Sequence, residues 1–166
     1  EVLLTMEKRN MKVNTIMYNT FLDGFANLKD SRIFTYFKSM MRKGLSPSPS
    51  TINILLKYCR NVEDFDMALN LLQTEFSRYG LAPDAISFNL ILELAKKKGF
   101  VREAVQLYND MRTKWAVTPS KSTYRILALL LLQSSKEDAT ILHKELPLVA
   151  LRNVQEVAGE MGLNLV

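Results

Sequence analysis

The chain has 166 residues, of which 48% are hydrophobic and 23% charged, and it carries a formal net charge of +5 at pH 7. The hydrophobic share is large enough to form a core, yet the longest apolar run, 126–132, is far too short to span a membrane. One cysteine excludes an internal disulfide framework, and one histidine excludes a zinc site built from several histidines.

The chain is predicted to begin inside a repeat. In residues 1–14, apolar Val2, Leu3 and Met6 fit the tail of a helix, and 12–14 takes the place of a closing loop. We interpret 1–14 as the end of a truncated preceding repeat. Residues 15–48 then form the first complete repeat, with helices predicted at 15–27 and 31–43.

Two further copies follow, the second 34 residues after the first and the third 36 residues after the second. The second repeat is 49–84, with helices predicted at 51–60 and 64–78, and the third is 85–120, with helices predicted at 85–98 and 101–114. In the third repeat, Phe88, Ile91, Leu92 and Ala95 form one helical stripe, and Gly99 suits a left-handed helix end. Three closing prolines share the spacing of 36, namely Pro47, Pro83 and Pro119.

The fourth copy, 121–146, is degenerate because it lacks the closing glycine and the proline in register. Its helices are predicted at 122–133 and 136–146. Residues 147–166 add one more helix, 148–161, which we expect to cover the end of the stack. A single hairpin of this kind cannot bury both of its apolar stripes, so the copies are expected to stack on one another.

A polar position recurs beside the apolar stripe of the first helices. It holds asparagine three times and arginine in the fourth copy: Asn19, Asn53, Asn89 and Arg125. Asparagine costs a helix interior roughly 0.5 kcal/mol relative to alanine, and no helix cap needs it there. A second polar position immediately precedes the helices, at Ser48, Asp84 and Ser120. Capping, worth about 1 kcal/mol, is an alternative explanation for these three residues.

The repeats resemble those of the pentatricopeptide repeat family. Residues 18–25 are similar to the start of such a repeat, 104–111 to its second helix, and 80–84 to its Gly-x-x-Pro-Asp end. The resemblance covers about residues 1–146. It implies an all-α, right-handed α-solenoid of helix-turn-helix repeats that binds single-stranded RNA, with one base read per repeat by the asparagine position and the last residue of the repeat.

Carried over to this sequence, the resemblance implies three base-reading pairs: Asn19 with Ser48, Asn53 with Asp84, and Asn89 with Ser120. The implied base-packing residues are Ile16, Ser50, Ile86 and Ser122; the two serines depart from the usual aliphatic residue. Asn14 is implied as the last reader of the truncated repeat. The family's preferences for these pairs imply a pyrimidine-rich site near C-U-C, 5′ to 3′.

Phosphate contact is the role expected of Arg125, which replaces asparagine, and of Lys96 and Lys97 in the densest basic run. That run ends a helix, where the helix dipole favours cations, and this structural explanation is slightly preferred to phosphate contact. A net positive charge favours a polyanionic partner but is common on solvated helical surfaces. Cys59 lies on a helical stripe and is interpreted as a core residue.

We therefore expect sequence-selective RNA binding in a mitochondrion or chloroplast, serving RNA stability, processing, splicing, editing or translation. No catalysis, cofactor, metal or membrane contact is expected of this segment. The alternative is a structural subunit of an organellar assembly, such as a ribosome or RNA polymerase, that contacts protein or structured RNA. A third hypothesis is the RNA-binding arm of an enzyme whose catalytic domain lies elsewhere.

Overall fold

The computed structural model describes residues 13–165, so most of the expected preceding repeat and the last residue of the tail lie outside the described residues. The chain divides into two compact units, Glu1–Leu81 and Ala82–Val166. Within the described part every regular element is an α-helix. Unit 1 contains α1 Thr15–Asn27, α2 Arg32–Arg42, α3 Pro49–Val62 and α4 Phe65–Arg78. Unit 2 contains α5 Ala85–Lys98, α6 Val101–Thr113, α7 Lys121–Gln133, α8 Lys136–Glu145 and α9 Leu148–Glu160.

The helix boundaries follow the predicted hairpins, with one clear difference at α3. This helix begins at Pro49 and ends at Val62, whereas the sequence predicted 51–60. A proline at the first helical position loses no hydrogen bond, since the N–H it lacks has no partner there. At the other end Glu63 adopts a left-handed conformation with φ of 63°, which closes the helix without a glycine. The predicted left-handed end at Gly99 is confirmed, with φ of 72°.

In unit 1 the first helices α1 and α3 pack side by side, and each also packs against its own hairpin partner, α2 or α4. The apolar stripe of α3 is fully buried and contains Leu55, Leu56 and Cys59. Tyr18 of α1 packs with Met40 of α2, and its hydroxyl lies 3.2 Å from Ser39 Oγ. The predicted core position of Cys59 is confirmed, and burial raises the pKa of its thiol to about 12.

In unit 2, α5 packs beside α7 and against its hairpin partner α6, and the second helices α6 and α8 also pack together. All four stripe residues of α5, from Phe88 to Ala95, are buried. The terminal helix α9 packs on α7 and buries Ala150, Val154, Val157 and Ala158. Its last residue, Glu160, pairs with Lys121 at the start of α7, at 2.5 Å.

Candidate nucleic-acid interface

Each first helix starts at a polar cap. The residue immediately before each first helix is its N-cap, and these four residues are Asn14, Ser48, Asp84 and Ser120. Each accepts a hydrogen bond from the backbone N–H three residues later, at 3.0, 3.3, 2.9 and 3.3 Å respectively. The capping role that the sequence left open is therefore present at all three expected repeat-end readers and at Asn14.

Three of these caps are reciprocal. The third residue of each helix, Thr51, Ser87 or Thr123, is fully buried, and its hydroxyl accepts the backbone N–H of the cap residue at 3.0 to 3.1 Å. Such capping boxes satisfy two otherwise unpaired N–H groups at a helix start. These hydroxyl residues are not among the sites predicted from the sequence, although the Ser/Asp-x-x-Thr/Ser spacing marks them.

Two side chains at the asparagine position form hydrogen bonds with residues of these caps. In unit 2, Asn89 Nδ2 donates to Ser120 Oγ at 3.2 Å, and Asn89 Oδ1 accepts from Thr123 Oγ1 at 2.7 Å. In unit 1, Asn19 Oδ1 accepts from Thr51 Oγ1 at 2.8 Å, and Thr51 Oγ1 lies 3.1 Å from Ser48 Oγ. Asn19 and Asn89 are thus hydrogen-bonded to side chains of the cap of the next first helix, a contact that the sequence does not predict.

The third expected pair is divided between the units. Asn53 lies on α3 of unit 1 and is half-buried, while Asp84 caps α5 of unit 2. Asp84 Oδ1 accepts from Ser87 N–H at 2.9 Å and from Ser87 Oγ at 3.0 Å. The Asp84 carboxylate therefore caps α5, as serine hydroxyls cap α3 and α7.

The expected base-packing positions are the second residues of the first helices, three residues before the asparagine position. All four are exposed, and the two aliphatic side chains are strongly so, with Ile16 at 75% and Ile86 at 60%. Exposed serines occupy the same position at Ser50 and Ser122. An isoleucine this exposed contributes little to the core, and it lies one helical turn from the asparagine position.

The charged residues lie around the same helices. Arg125 is exposed on α7, at the register position of the asparagines. Lys96 is half-buried and Lys97 exposed in the last turn of α5, where cations also complement the helix dipole. Within the described residues, no group of His, Cys, Asp and Glu side chains could hold a metal ion. No described helix is both long and apolar enough to cross a lipid bilayer.

Comparison with protein families decides the assignment. Residues 83–129 match the PPR repeat family, and residues 1–61 match the pentatricopeptide repeat domain. The chain belongs to the pentatricopeptide repeat family. The resemblance noted in the sequence is thereby confirmed, as is the expected all-α fold built from helix-turn-helix repeats.

Other pentatricopeptide repeat proteins match most of this chain but are much longer. A chloroplastic pentatricopeptide repeat-containing protein of Arabidopsis thaliana is 30% identical over 76% of the chain, and the chain spans 16% of its length. The small ribosomal subunit protein mL103 of Arabidopsis thaliana is 24% identical over 76% of the chain, which spans 30% of that protein.

Two solved structures share the fold. One is the pentatricopeptide repeat protein PPR10, solved in complex with an 18-nt psaJ RNA element. The alignment covers 96% of this chain and 26% of the PPR10 chain, with a TM-score of 0.71 and 22% sequence identity. The other is the PPR domain of Arabidopsis thaliana protein-only RNase P 1, solved in complex with tRNA. The alignment covers 93% of this chain and 77% of that domain chain, with a TM-score of 0.68 and 18% sequence identity.

Proposed function

We propose that this chain binds single-stranded RNA sequence-selectively through its first helices. The observation that carries the proposal is the arrangement on α5. There the amide of Asn89 is held by Ser120 and Thr123 one turn from the exposed side chain of Ile86. A held amide and an exposed aliphatic surface are together suited to an unstacked base, which needs an edge partner and a face partner.

The pyrimidine preference is part of this proposal. An asparagine amide offers both a donor and an acceptor, so it can pair with the edge of a base. Aspartate only accepts, which favours a base that presents an N–H, as uracil N3 does. With Asn19–Ser48, Asn53–Asp84 and Asn89–Ser120 as the reading pairs, the proposed site is near C-U-C, read 5′ to 3′ along the chain.

Relatives support an organellar RNA role. PPR10 was solved with an RNA element and the PPR domain of protein-only RNase P 1 with tRNA. Relatives of this chain carry the words chloroplastic or mitochondrial in their names. We therefore propose that the protein acts on RNA in one of these organelles. We further propose that this segment binds without catalysing a reaction.

Selection of preferred oligomers from a random RNA pool tests the proposal. We expect enrichment of a C-U-C core, with the logarithm of affinity falling against the logarithm of salt by about 0.7 per neutralised phosphate. The double change Asn89→Thr with Ser120→Asp keeps a residue able to cap α7 and should move the third base toward G. Recovery of unrelated sequences, or an unmoved third base in the double variant, contradicts the proposal.

A second candidate function is that of a structural subunit that contacts protein. It is favoured by the similarity to mL103, a small ribosomal subunit protein, and by a groove of about 420 Å³ in unit 1. The groove lies between the second helices and joins aromatic and cationic side chains, among them Phe34, Phe37, Tyr79, Lys38, Arg42 and Arg78. A structural subunit should bind short oligomers without selectivity, so the pool selection separates the two functions.

A further inference from the structure

The second helices are packed differently in the two units. In unit 2, α6 and α8 lie directly against each other, whereas in unit 1 α2 and α4 make little direct contact. The groove of about 420 Å³ occupies the space between α2 and α4. Its apolar base includes Leu55 of α3 and Leu71 of α4, which are both buried. Its volume falls within the range of about 300–1,000 Å³ that is typical of ligand sites.

Two helical stripes form the walls of this groove. The stripe of α2 follows the i, i+3, i+4, i+7, i+8 spacing of one helix face and consists of Phe34, Phe37, Lys38, Met41 and Arg42. The stripe on the α4 side consists of Leu71, Glu75, Arg78 and Tyr79. Both walls therefore present apolar side chains next to charged ones.

The groove carries a net positive charge. Its lining has three cations, Lys38, Arg42 and Arg78, and one carboxylate, Glu75. Glu75 is paired within the groove, with 3.6 Å between its Oε1 and Arg78 Nη1, and its side chain is only 15% exposed. Lys38 and Arg42 are exposed, and no described residue forms an ion pair with them. Two cations one helical turn apart, about 6 Å along the axis, thus remain for the carboxylates of a ligand.

The lining favours a peptide over a nucleotide. A base is recognised by amide or hydroxyl groups at its edge and by an open ring face for stacking. The described lining residues include no asparagine, glutamine, serine or threonine. The rings already have partners: Phe37 meets Tyr79 edge to face at 6.2 Å, Phe34 meets Tyr58 at 5.3 Å, and Arg78 lies over Tyr79 at 5.7 Å. Apolar side chains flanked by carboxylates suit such a lining better than a base does.

The groove and the asparagine positions lie on different sides of unit 1. Leu55, at the base of the groove, follows Asn53 by two residues, which is about 200° around α3. The other described lining residues belong to α2, to α4 and to Tyr79, the residue that ends α4. A ligand in the groove therefore leaves the proposed RNA surface open.

We propose that the groove between α2 and α4 binds an acidic amphipathic helix of a protein partner. Bulky apolar side chains of that helix contact the apolar base, and Asp or Glu side chains one turn apart pair with Lys38 and Arg42. This goes beyond RNA binding, since it gives the segment a second surface whose occupant is defined by its charge. The chain can then hold RNA and a partner protein at the same time.

Selection from a library of random peptides displayed on phage, with the immobilised parent chain as target, tests the chemistry of the occupant. We expect enriched peptides to carry apolar residues and carboxylates at i, i+3 and i+4 spacing, which is a helical pattern. The affinity of an enriched peptide is then measured by fluorescence anisotropy. The groove variant, Lys38→Glu with Arg42→Glu, should weaken its binding by about tenfold or more, because attraction at two sites becomes repulsion.

The matched control is Lys136→Glu with Lys144→Glu on α8, which makes the same change in net charge at two exposed lysines outside the groove. Distant exposed charges are screened, so the control should keep the peptide affinity within about twofold of the parent value. A peptide whose carboxylates are replaced by lysines should bind the groove variant more tightly than it binds the parent. This exchange of charge separates recognition from a loss of folding, and circular dichroism checks that both variants keep their helices.

The proposal is overturned if no peptide is enriched, if the enriched peptides lack carboxylates, or if both double variants weaken binding equally. A loss of RNA affinity in the groove variant beyond that in the control would make the groove a nucleic-acid site and overturn it too. Sedimentation tests a second copy of the chain as the occupant, and dimers of the parent that the groove variant abolishes would contradict a peptide site. Base preference in the RNA selection is a separate readout, so RNA binding and peptide binding can fail independently.

Discussion

Asp23 of α1 and Lys57 of α3 form an ion pair, with 2.7 Å between Oδ1 and Nζ. Both side chains are partly exposed, at 40% and 27%. Each lies four residues beyond an asparagine position, Asn19 or Asn53, and therefore on the same face of its helix. The carboxylate thus partly neutralises a cation next to the surface that we propose for RNA.

The variant Asp23→Asn should bind RNA more tightly. It removes a negative charge and leaves Lys57 available to a phosphate, so we expect a gain of a few-fold at low salt and a salt dependence steeper by up to about 0.7 in slope. The cost in stability should be small, since exposed ion pairs contribute about 0 to 1 kcal/mol. Asp66→Asn, an exposed carboxylate on α4, is the matched control. Equal effects of the two substitutions would show only a change in net charge.

The exposed isoleucines should matter for binding and little for folding. Ile16→Ala and Ile86→Ala are each expected to weaken RNA binding about fivefold, because roughly 1 kcal/mol of apolar contact with a base is lost. Melting temperatures should change little, as for other surface substitutions. The control variants are Leu28→Ala in unit 1 and Val149→Ala in unit 2, whose side chains are 77% and 65% exposed outside the proposed surface. Equal losses in the controls would argue against base packing.

Arg125 should contribute affinity without selectivity. Arg125→Ala removes a cation at the asparagine register of α7, so binding should weaken for all sequences alike and the salt slope should fall by about 0.7. Arg102→Ala on α6, which removes an exposed cation from a second helix, should leave the slope near the parent value. A change in the preferred sequence after Arg125→Ala would instead make Arg125 a base reader.

Cys59 should resist alkylation in the native protein. Its side chain is fully buried, and burial raises the pKa of its thiol to about 12. At pH 8 only about one thiol in 10⁴ is ionised at that pKa, and the thiolate is the reactive form. Since the chain has a single cysteine, mass spectrometry after iodoacetamide treatment gives a direct readout. Rapid native labelling at a rate close to that in denaturant would contradict the buried position.

Local signals in the sequence predicted the helices well. The stripe of Phe88, Ile91, Leu92 and Ala95 placed α5, and Gly99 placed its end, because both signals depend on residues within one or two turns. The end of α3 was missed because a glutamate, Glu63, takes the left-handed conformation that usually marks glycine. The predicted range of that helix began at Thr51, although the sequence allows Pro49 at the first helical position, which it does occupy.

The candidate site could be predicted only in part. The recurrence of asparagine identified Asn19 and Asn89, but not what holds them. Thr51 and Thr123 lie 32 and 34 residues further along the chain, and no local pattern connects residues that far apart. The contact depends on how neighbouring first helices pack against each other, which sequence spacing does not specify. The assignment of Asn53 with Asp84 stays a prediction.

The bond from Thr123 to Asn89 also defines where one repeat can be separated from the next. A fragment of 85–120 would carry Asn89 but lack the Thr123 hydroxyl that bonds it. The transferable module is therefore 85–123, which overlaps the next repeat by three residues. When such a hairpin is transferred to another protein, the junction should follow the third residue of the next first helix. Otherwise the asparagine will face a residue of the host repeat instead of its own threonine.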